Sequence, residues 1–480
     1  MARGCHGLTV LTTFLLWGVQ LLTGGVALAR ASRDPFPVPP RQSPTQKAVC
    51  QHHAPLAEAA SAAATAKVLE FFDRADFRAG LEKCCSGIAK LPASEILERF
   101  REEVRAAELA HDFPAEAEDS KVFYDQTMSL MEEYPFFLNQ WQAMVADEAE
   151  GVPRKAIAGA LTVPEENLFG CPRFQNRSQP TWDEAAGRAI YTAHNLWLVD
   201  SSSSPHFGNV TAVFRYKSVQ DLVVFAPIDT GLYYAACHDD MPPGPPILPF
   251  NCKGWVPETL GTFAHFDHMI LANWEVLSGK HNVTVVEEAL RFFNHSPFAL
   301  GNYSELATLN DVWIGDYWES LIFGAPQLAT DIRFVLPVFS MFGTSKGEHL
   351  QKLAERHSWP VLWVFGEVSN KDLPGKVRLL DPHSVAYAKL NVTVTEAMRQ
   401  AYDDLWARVA AARKQKGSLT EQESLEFWSE LKEDQVWVAP ATARVCGYDD
   451  SCIGAAIRSD NACICSAAAH SAEKPATIMV

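Results

Sequence analysis

The stretch that decides the fold class is Val210-Thr211-Ala212-Val213-Phe214-Arg215-Tyr216, one of several short β-branched and aromatic runs in the second half of the chain. Such runs, bounded by Pro, Gly, Asn or Asp, are typical of β-strands. Helical patterns lie between them, without a regular strand–helix alternation. The sequence therefore predicts an α+β fold with a mixed or largely antiparallel sheet. The other predicted strands are residues 189–198, 222–226, 232–236, 320–323, 334–339 and 361–365, and the predicted helices are residues 262–278, 285–293, 348–357 and 394–412.

The first third of the chain has a different amino-acid composition and a different spacing of apolar residues. In residues 49–160, Ala, Leu, Glu, Lys and Arg dominate, and apolar residues recur at three- to five-residue spacing. We expect a helical region here, followed by an α+β core at residues 165–415. A Pro-rich linker at residues 30–48 precedes the helical region, and a Cys-rich tail at residues 440–480 follows the core.

Composition excludes several classes of protein. The chain has 480 residues, 48% of them hydrophobic and 21% charged, and a formal net charge of −17. This apolar content suits a globular protein with a large core and excludes disordered and collagen-like chains. Because no stripe of Lys and Arg balances the acidic charge, we expect no nucleic-acid partner.

The first residues have the layout of a secretory signal. Arg3 precedes an apolar stretch at residues 8–29, which ends in Ala27-Leu28-Ala29. Small residues at this spacing predict a signal peptide over residues 1–29, cleaved before Arg30. An uncleaved signal anchor is the alternative, since the stretch is about long enough to span a bilayer, and only then would the protein contact a membrane.

Two further counts favour the secretory pathway, either outside the cell or in the ER and Golgi lumen. Of the 11 cysteines, only Cys5 lies in the signal segment, so ten remain. An even number suits complete disulfide pairing, with a connectivity that the spacing leaves open. The chain also has six Asn-x-Ser/Thr acceptors, of which Asn294 is the weakest because Pro297 follows Ser296. We predict N-glycans at Asn176, Asn209, Asn282, Asn302 and Asn391.

One cluster has metal-like spacing. In His265-Phe266-Asp267-His268 the two histidines could share a helix face, with His238, Asp239 or Asp240 as a further ligand. The alternative is that these are hydrogen-bonded helix residues, and we predict no metal site.

A second motif would suit a serine hydrolase. Gly343-Thr344-Ser345-Lys346-Gly347 lies between an apolar run and a helical pattern, the strand–turn–helix context of a nucleophile elbow. Asp372 or Asp381, with His383, would complete a triad in the required order. Pro337 interrupts the strand, and a tight turn relieved by the glycines is the alternative interpretation.

A set of ordered sequence blocks resembles an uncharacterised, mainly bacterial domain family. The blocks cover residues 166 to about 367, and the layout of that family is remotely similar to ADP-ribosyltransferases. The blocks are Glu166-Asn167-Leu168-Phe169-Gly170, Arg188-Ala189-Ile190-Tyr191-Thr192-Ala193-His194-Asn195-Leu196, Ser204-Pro205-His206-Phe207-Gly208, Asp316-Tyr317-Trp318-Glu319-Ser320-Leu321-Ile322-Phe323-Gly324, Gly343-Thr344 and Pro360-Val361-Leu362-Trp363.

The resemblance implies NAD as cofactor and assigns roles to three residues. Arg188 would face the cofactor phosphates, because its guanidinium binds two oxygens at once. Tyr191 would line the nicotinamide pocket, and Glu319 would lead a late strand. A carboxylate there could stabilise an oxocarbenium-like ribose during ADP-ribosyl transfer.

The chain departs from the family around this site. Leu321, Phe323 and Val364 stand where the family tends to have polar residues. Loss of these polar groups favours a second hypothesis, a non-enzymatic extracellular or luminal binding protein on a degenerate scaffold. The sequence leaves the choice between an enzyme and a binding protein open.

Overall fold

A six-stranded antiparallel sheet forms the centre of the computed structural model. The predicted segments 1–29, 232–236 and 440–480 lie outside the described residues, as do Asn302 and Asn391. The structure describes residues 36–116, 119, 125–149, 164–176, 179–196, 207–230, 260–295, 318–365, 376–384, 386, 389–390, 392–432 and 437–439.

The strand order in this sheet is β4-β5-β2-β1-β3-β6, and every neighbouring pair is antiparallel. A second sheet has the order β7-β8-β9. Helices pack against the strands, so the α+β prediction is confirmed. The strands are β1 Glu108–Phe113, β2 Ile190–Asn195, β3 Val210–Phe214, β4 Val223–Ala226, β5 Trp318–Ile322, β6 Ile332–Pro337, β7 Leu362–Trp363, β8 Lys376–Leu380 and β9 Trp437–Ala439.

Strand β1 corrects the prediction of a helical region over residues 49–160. It pairs with β2 on one side and with β3 on the other, so it is an inner strand of the sheet. Its sequence, Glu-Leu-Ala-His-Asp-Phe, contains no β-branched residue. Backbone pairing on both sides therefore overrides a weak local preference for strand. As a result, the N-terminal region and the predicted core share one sheet.

The longest helix, α1, begins at Pro44, inside the predicted linker. The Ser43 side chain accepts from the backbone N–H of Gln46, and the Gln46 side chain accepts from that of Ser43, a reciprocal capping box. The helices are α1 Pro44–Asp73, α2 Ala75–Cys84, α3 Ser86–Ala89, α4 Ala93–Ala106, α5 Met128–Glu133, α6 Gln140–Ala149, α7 Trp182–Ala185, α8 Tyr216–Val219, α9 Asp267–His281, α10 Val285–His295, α11 Leu328–Asp331, α12 Ser345–His357, α13 Glu396–Lys416 and α14 Glu421–Ser429.

The largest core cluster covers one face of the six-stranded sheet with aromatic side chains. Trp274 of α9 lies at the centre of this cluster, with its ring centroid 5.6 Å from Phe71 of α1 and 5.8 Å from Phe100 of α4. Phe100 in turn contacts Trp318 of β5, at 6.3 Å. These contacts attach three helices to the sheet through rings that prefer tilted and edge-on packing.

The opposite face of the sheet carries buried polar side chains. Because successive side chains in a strand point to opposite faces, Tyr191 and Asn195 lie on the face away from His194. Glu319 pairs with Ala193 across β5 and β2, so its side chain shares the face of Tyr191. On this face the Asn195 amide donates to Glu108, at 3.1 Å. Both residues that the sequence marked on β2 and β5 therefore lie on the polar face.

Within the described part of the chain, no helix has both the length and the apolar character needed to cross a bilayer.

Replacing Trp274 with Ala tests the aromatic cluster. Trp274 is 1% exposed, and the cavity left by its ring should lower the free energy of unfolding by about 3–5 kcal/mol in urea titrations. Val283→Ala is the control, because Val283 is 40% exposed and its loss should change this free energy by about 0.5 kcal/mol or less. Equal effects of the two substitutions would contradict the central position of Trp274.

Candidate functional site

The carboxyl group of Glu165 is the centre of a buried polar cluster. Trp141 Nε1 donates to its two oxygens at 3.0 and 3.1 Å, and Arg188 Nη1 donates to Oε2 at 3.1 Å. The hydroxyl of Tyr191 donates to Oε1 at 3.3 Å. The side chain of Glu165 has no exposed surface, so these donors replace the water that the carboxyl loses on folding.

Local structure brings these residues together from separate parts of the sequence. Trp141 lies on α6, Glu165 on a helical turn at residues 164–167, and Tyr191 on β2. Arg188 follows α7, which begins at a capping box between Thr181 and Glu184. The backbone carbonyl of Arg188 then accepts from the side-chain amides of Gln46 and Asn139, at 3.1 and 3.2 Å.

Arg188 has its charge satisfied inside the protein. Besides Glu165, its guanidinium donates to the carbonyl of Pro172 and lies 3.8 Å from the ring centroid of Phe174. Only 2% of the residue is exposed. From the resemblance we expect Arg188 to face cofactor phosphates, whereas in the structure it faces a carboxylate, a carbonyl and an aromatic ring.

Burial controls the protonation of Glu165. It raises the pKa of this carboxyl from 4.5 to about 7, and the charge of Arg188 and the donors Trp141 and Tyr191 limit the rise. Burial also raises the pKa of Tyr191, and the charges of Glu165 and Glu319 raise it further. The phenol is therefore hydrogen-bonded to Glu165 and within electrostatic reach of Glu319.

Glu319 is also buried and internally bonded. The backbone N–H of Thr230 donates to its Oε2 at 2.9 Å, and the Thr230 hydroxyl donates to the same atom. Burial raises the pKa of Glu319, and the neighbouring charge of Asp229 raises it further. Only 5% of Glu319 is exposed. Like Arg188, this residue is held by groups of its own chain.

The structure thus brings Arg188, Tyr191 and Glu319 near one another and adds Glu165 and Trp141, which sequence reasoning missed. One sequence feature lies close to Glu165: the first block of the resemblance begins at the next residue, Glu166. Nothing in the sequence pattern shows that Glu165 faces the interior.

The structure buries Leu321, Phe323 and Val364, the three residues at which the sequence departs from the resemblance. Leu321 and Phe323 pack in a small apolar cluster with Leu168 and Phe169, and the rings of Phe169 and Phe323 are 5.8 Å apart. Val364 belongs to another apolar cluster. Polar side chains at these three buried positions would lose hydration without gaining a partner, which explains the apolar choices.

A cavity of about 580 Å³ lies beside β4, between α1, α4 and the loop at residues 262–265. Arg188, Tyr191 and Glu319 do not line it. The cavity is lined in part by the ring of Tyr216, whose centroid is 4.1 Å from that of Phe263 in an edge-on contact. The polar residues of its wall are Glu58, Arg105, Tyr216, Gln220, Asp221, Thr262 and His265.

The charges of both signs in this cavity act on one hydroxyl. Burial raises the pKa of Tyr216, the positive charge of Arg105 lowers it, and the negative charge of Asp221 raises it. The phenol is therefore within electrostatic reach of both groups. Arg105 is half-buried and lies over the ring of Phe266, at 5.6 Å, while Asp221 is exposed.

The cluster of histidines at 265–268 does not share a helix face. Helix α9 begins at Asp267, so His265 precedes the helix and lines the cavity instead. The ring of His268 is bonded to the carbonyl of Leu260, at 3.0 Å, and Asp267 forms an ion pair with Arg101. His238, Asp239 and Asp240 lie outside the described residues. Among those that are described, no group of three or more His, Cys, Asp or Glu could hold a metal ion.

The structure describes Ser345, Asp381 and His383 of the serine hydrolase hypothesis. Ser345 is the first residue of α12, and the positive φ of 72° belongs to Gly343, so the turn is relieved by a glycine. His383 bonds through Nε2 to Asp403, at 2.6 Å. In the described part of the chain Ser345 and His383 share no hydrogen bond, and Asp372 lies outside it.

The described cysteines bear on the prediction of complete disulfide pairing. Cys50, Cys84, Cys85 and Cys171 are free thiols in the structure. The other cysteines of the expected mature chain lie outside the described residues, so the pairing stays a prediction.

No family model matches the chain, and no curated protein matches it.

Replacing Glu165 with Gln tests whether burial or the charge of Arg188 dominates at this carboxyl. Since its folded-state pKa of about 7 lies above the ordinary 4.5, the stabilising contribution of Glu165 is complete below pH 4.5 and is lost as the pH rises through 7. We expect the free energy of unfolding of the wild type, relative to Glu165→Gln, to fall over this interval in urea titrations.

The control for this titration is Glu95→Gln, which removes an exposed carboxylate paired with Arg99. Its difference from the wild type should stay small at every pH, because exposed pairs contribute about 0–1 kcal/mol. If the free energy of unfolding of the wild type, relative to Glu165→Gln, rises with pH instead, the ion pair with Arg188 outweighs burial.

Proposed function

We propose that the protein is a non-enzymatic ligand-binding glycoprotein of the secretory pathway, with its ligand site in the cavity beside β4. The observation that carries this proposal is that Arg188 and Glu319 are bonded within the protein and that neither lines the cavity. The residues expected to perform catalysis therefore support the fold.

The contacts of Arg188 argue against a role in phosphate binding. To reach a pyrophosphate, its guanidinium would have to leave Glu165, which would then be a buried carboxyl without its positive partner. Breaking a buried pair by removing one partner costs about 3–5 kcal/mol. A cofactor that binds through Arg188 would have to offset this loss from its own contacts.

The cavity has the chemistry of a site for a small zwitterion. Arg105 suits a carboxylate, and Glu58 and Asp221 suit an ammonium group. Tyr216 and Phe263 offer an aromatic floor, which also favours cations. Because Arg105 is half-buried and Glu58 and Asp221 are exposed, a ligand of opposite charge at each end can replace their water without leaving a buried charge unpaired.

The secretory assignment is supported by the signal pattern, by the even number of cysteines after residue 29 and by the glycan acceptors. Of the acceptors in the described residues, Asn176 and Asn282 are exposed. Asn209 is half-buried, and its side-chain oxygen accepts from the backbone N–H of Ala115, at 2.8 Å.

A thermal-shift and calorimetric panel of amino acids, betaines, simple anions, simple cations and NAD tests the ligand proposal. We expect a zwitterion to bind and NAD to give neither binding heat nor hydrolysis. Arg105→Ala should weaken zwitterion binding about tenfold or more, since a hydrogen bond to a charged group contributes about 1.5–3 kcal/mol.

Arg99→Ala is the matched control for Arg105→Ala. Arg99 lies on the same helix, α4, and pairs with Glu95 on the surface without lining the cavity, so its loss should leave binding unchanged. Equal loss in both variants, or no binding by any zwitterion in the panel, would contradict the proposal.

The second candidate function is that of a divergent ADP-ribosyltransferase-like, NAD-binding protein. It is favoured by one observation: Tyr191 shares a face of the sheet with Glu319, and its hydroxyl donates to Glu165 at 3.3 Å. A carboxyl whose pKa is about 7 can accept and return a proton near neutral pH. NAD hydrolysis in the panel that is lost in Glu319→Gln would support this candidate against the first.

Secretion from a eukaryotic host tests the assignment to the secretory pathway. We expect each of Asn176→Gln and Asn282→Asp to remove one glycan, seen as a mobility shift that glycosidase treatment abolishes. Asp is chosen at 282 because Asn282 ends α9 with a positive φ of 55°, a conformation that Asp tolerates. Protein that stays inside the cells and shows no shift on glycosidase treatment would contradict this assignment.

A further inference from the structure

Two adjacent cysteines lie where α2 ends and α3 begins. Cys84 is the last residue of α2, and Cys85 is the residue between the two helices. Their Sγ atoms are 2.8 Å apart. A disulfide bond is about 2.05 Å long, so the two sulfur atoms must approach further to bond. Adjacent Cα atoms are about 3.8 Å apart, closer than in most bridged pairs, so the bridge also requires an adjustment of the backbone between the two residues.

The break between the helices causes this contact. Within a continuous helix, the side chains of adjacent residues point in different directions and do not meet. Cys85 instead has φ −145° and ψ 54°, which interrupts the helix and turns its side chain towards Cys84. The backbone conformation at this one residue thus brings the two thiols together.

We propose that Cys84 and Cys85 are a redox modification site, at which the two thiols form a disulfide between adjacent residues. The pair is isolated from the other described cysteines, since Cys50 and Cys171 belong to a separate apolar cluster. Cys85 is buried and Cys84 is half-buried, so an oxidant reaches the pair through Cys84.

The reaction is a thiol–disulfide exchange with a small-molecule disulfide such as oxidised glutathione. The thiolate of Cys84 attacks one glutathione sulfur, the glutathione S–S bond breaks, and one glutathione thiolate leaves. The thiolate of Cys85 then attacks Cys84 Sγ and displaces the second glutathione thiolate. The two protons lost by the cysteines end on the two glutathione molecules, so two thiols are oxidised and one disulfide is reduced.

The bridge would act on local contacts and contribute little to global stability. The stabilisation by a disulfide grows with the length of the loop that it closes, and no residue lies between Cys84 and Cys85. Oxidation also removes the S–H of Cys85, which donates to the carbonyl of Phe293 in α10, at 3.6 Å. The redox state therefore acts on the contact between the α2–α3 junction and α10.

Mass spectrometry of a single tryptic peptide tests the proposal. Lys83 and Lys90 flank the pair, so trypsin releases residues 84–90, which contain both cysteines and no others. The purified full chain is equilibrated with oxidised glutathione, alkylated under denaturing conditions without reductant, and digested. We expect the peptide without alkyl groups and lighter than the dithiol by two hydrogen atoms, and after prior reduction we expect two alkyl groups.

Single substitutions control the assignment. Cys84→Ser and Cys85→Ser should each leave one thiol that is alkylated or carries glutathione, while Cys50→Ser, in the separate cluster, should leave the bridged peptide unchanged. Two alkylated thiols in the oxidised wild type, or residues 84–90 linked to another peptide, would overturn the proposal. Because the oxidant is supplied in the test, the result does not depend on the compartment or on the proposed ligand.

Discussion

The ion pair between Glu165 and Arg188 constrains much of the structure around it. Both side chains are almost completely removed from water, and a buried charge without a partner is strongly destabilising. The pair therefore fixes the turn at residues 164–167 against the segment that leads into β2. Two buried hydrogen bonds extend this constraint to neighbouring helices. Trp141 of α6 donates to the carboxyl of Glu165, and Gln46 of α1 donates to the backbone carbonyl of Arg188.

The residues that stabilise the fold through buried polar contacts are different from those that line the cavity. Polar groups on one face of the sheet are bonded within the protein, as Asn195 is to Glu108 and Glu319 is to Thr230, and the opposite face carries an aromatic core. Charged groups that keep part of their hydration, such as Arg105 and Asp221, lie instead at the edge formed by β4. Partly hydrated charges can change partners at modest cost, so the sheet edge suits binding better than its buried polar face.

Part of the candidate site could be predicted from sequence. Arg188, Tyr191 and Glu319 were chosen from separate blocks, and the structure places them close together. Their roles could not be predicted, because the partner of Arg188 is Glu165, 23 residues earlier, and contacts at such separations leave no periodic signal. The turn around Ser345 is a second example. Its local sequence has the pattern of a nucleophile elbow, but the sequence does not show that His383 is hydrogen-bonded to Asp403.

The α+β class can be predicted from local sequence, because β-branched runs and helical periodicity are properties of short segments. The local sequence also located most of the strands, as with the run 210–216 and β3. Only the tertiary structure decided that residues 108–113 form an inner strand, since pairing with β2 and β3 supplies what the local sequence lacks. Likewise, only the fold decided which charges are buried in pairs and which line a cavity, because burial depends on segments that are distant in the chain.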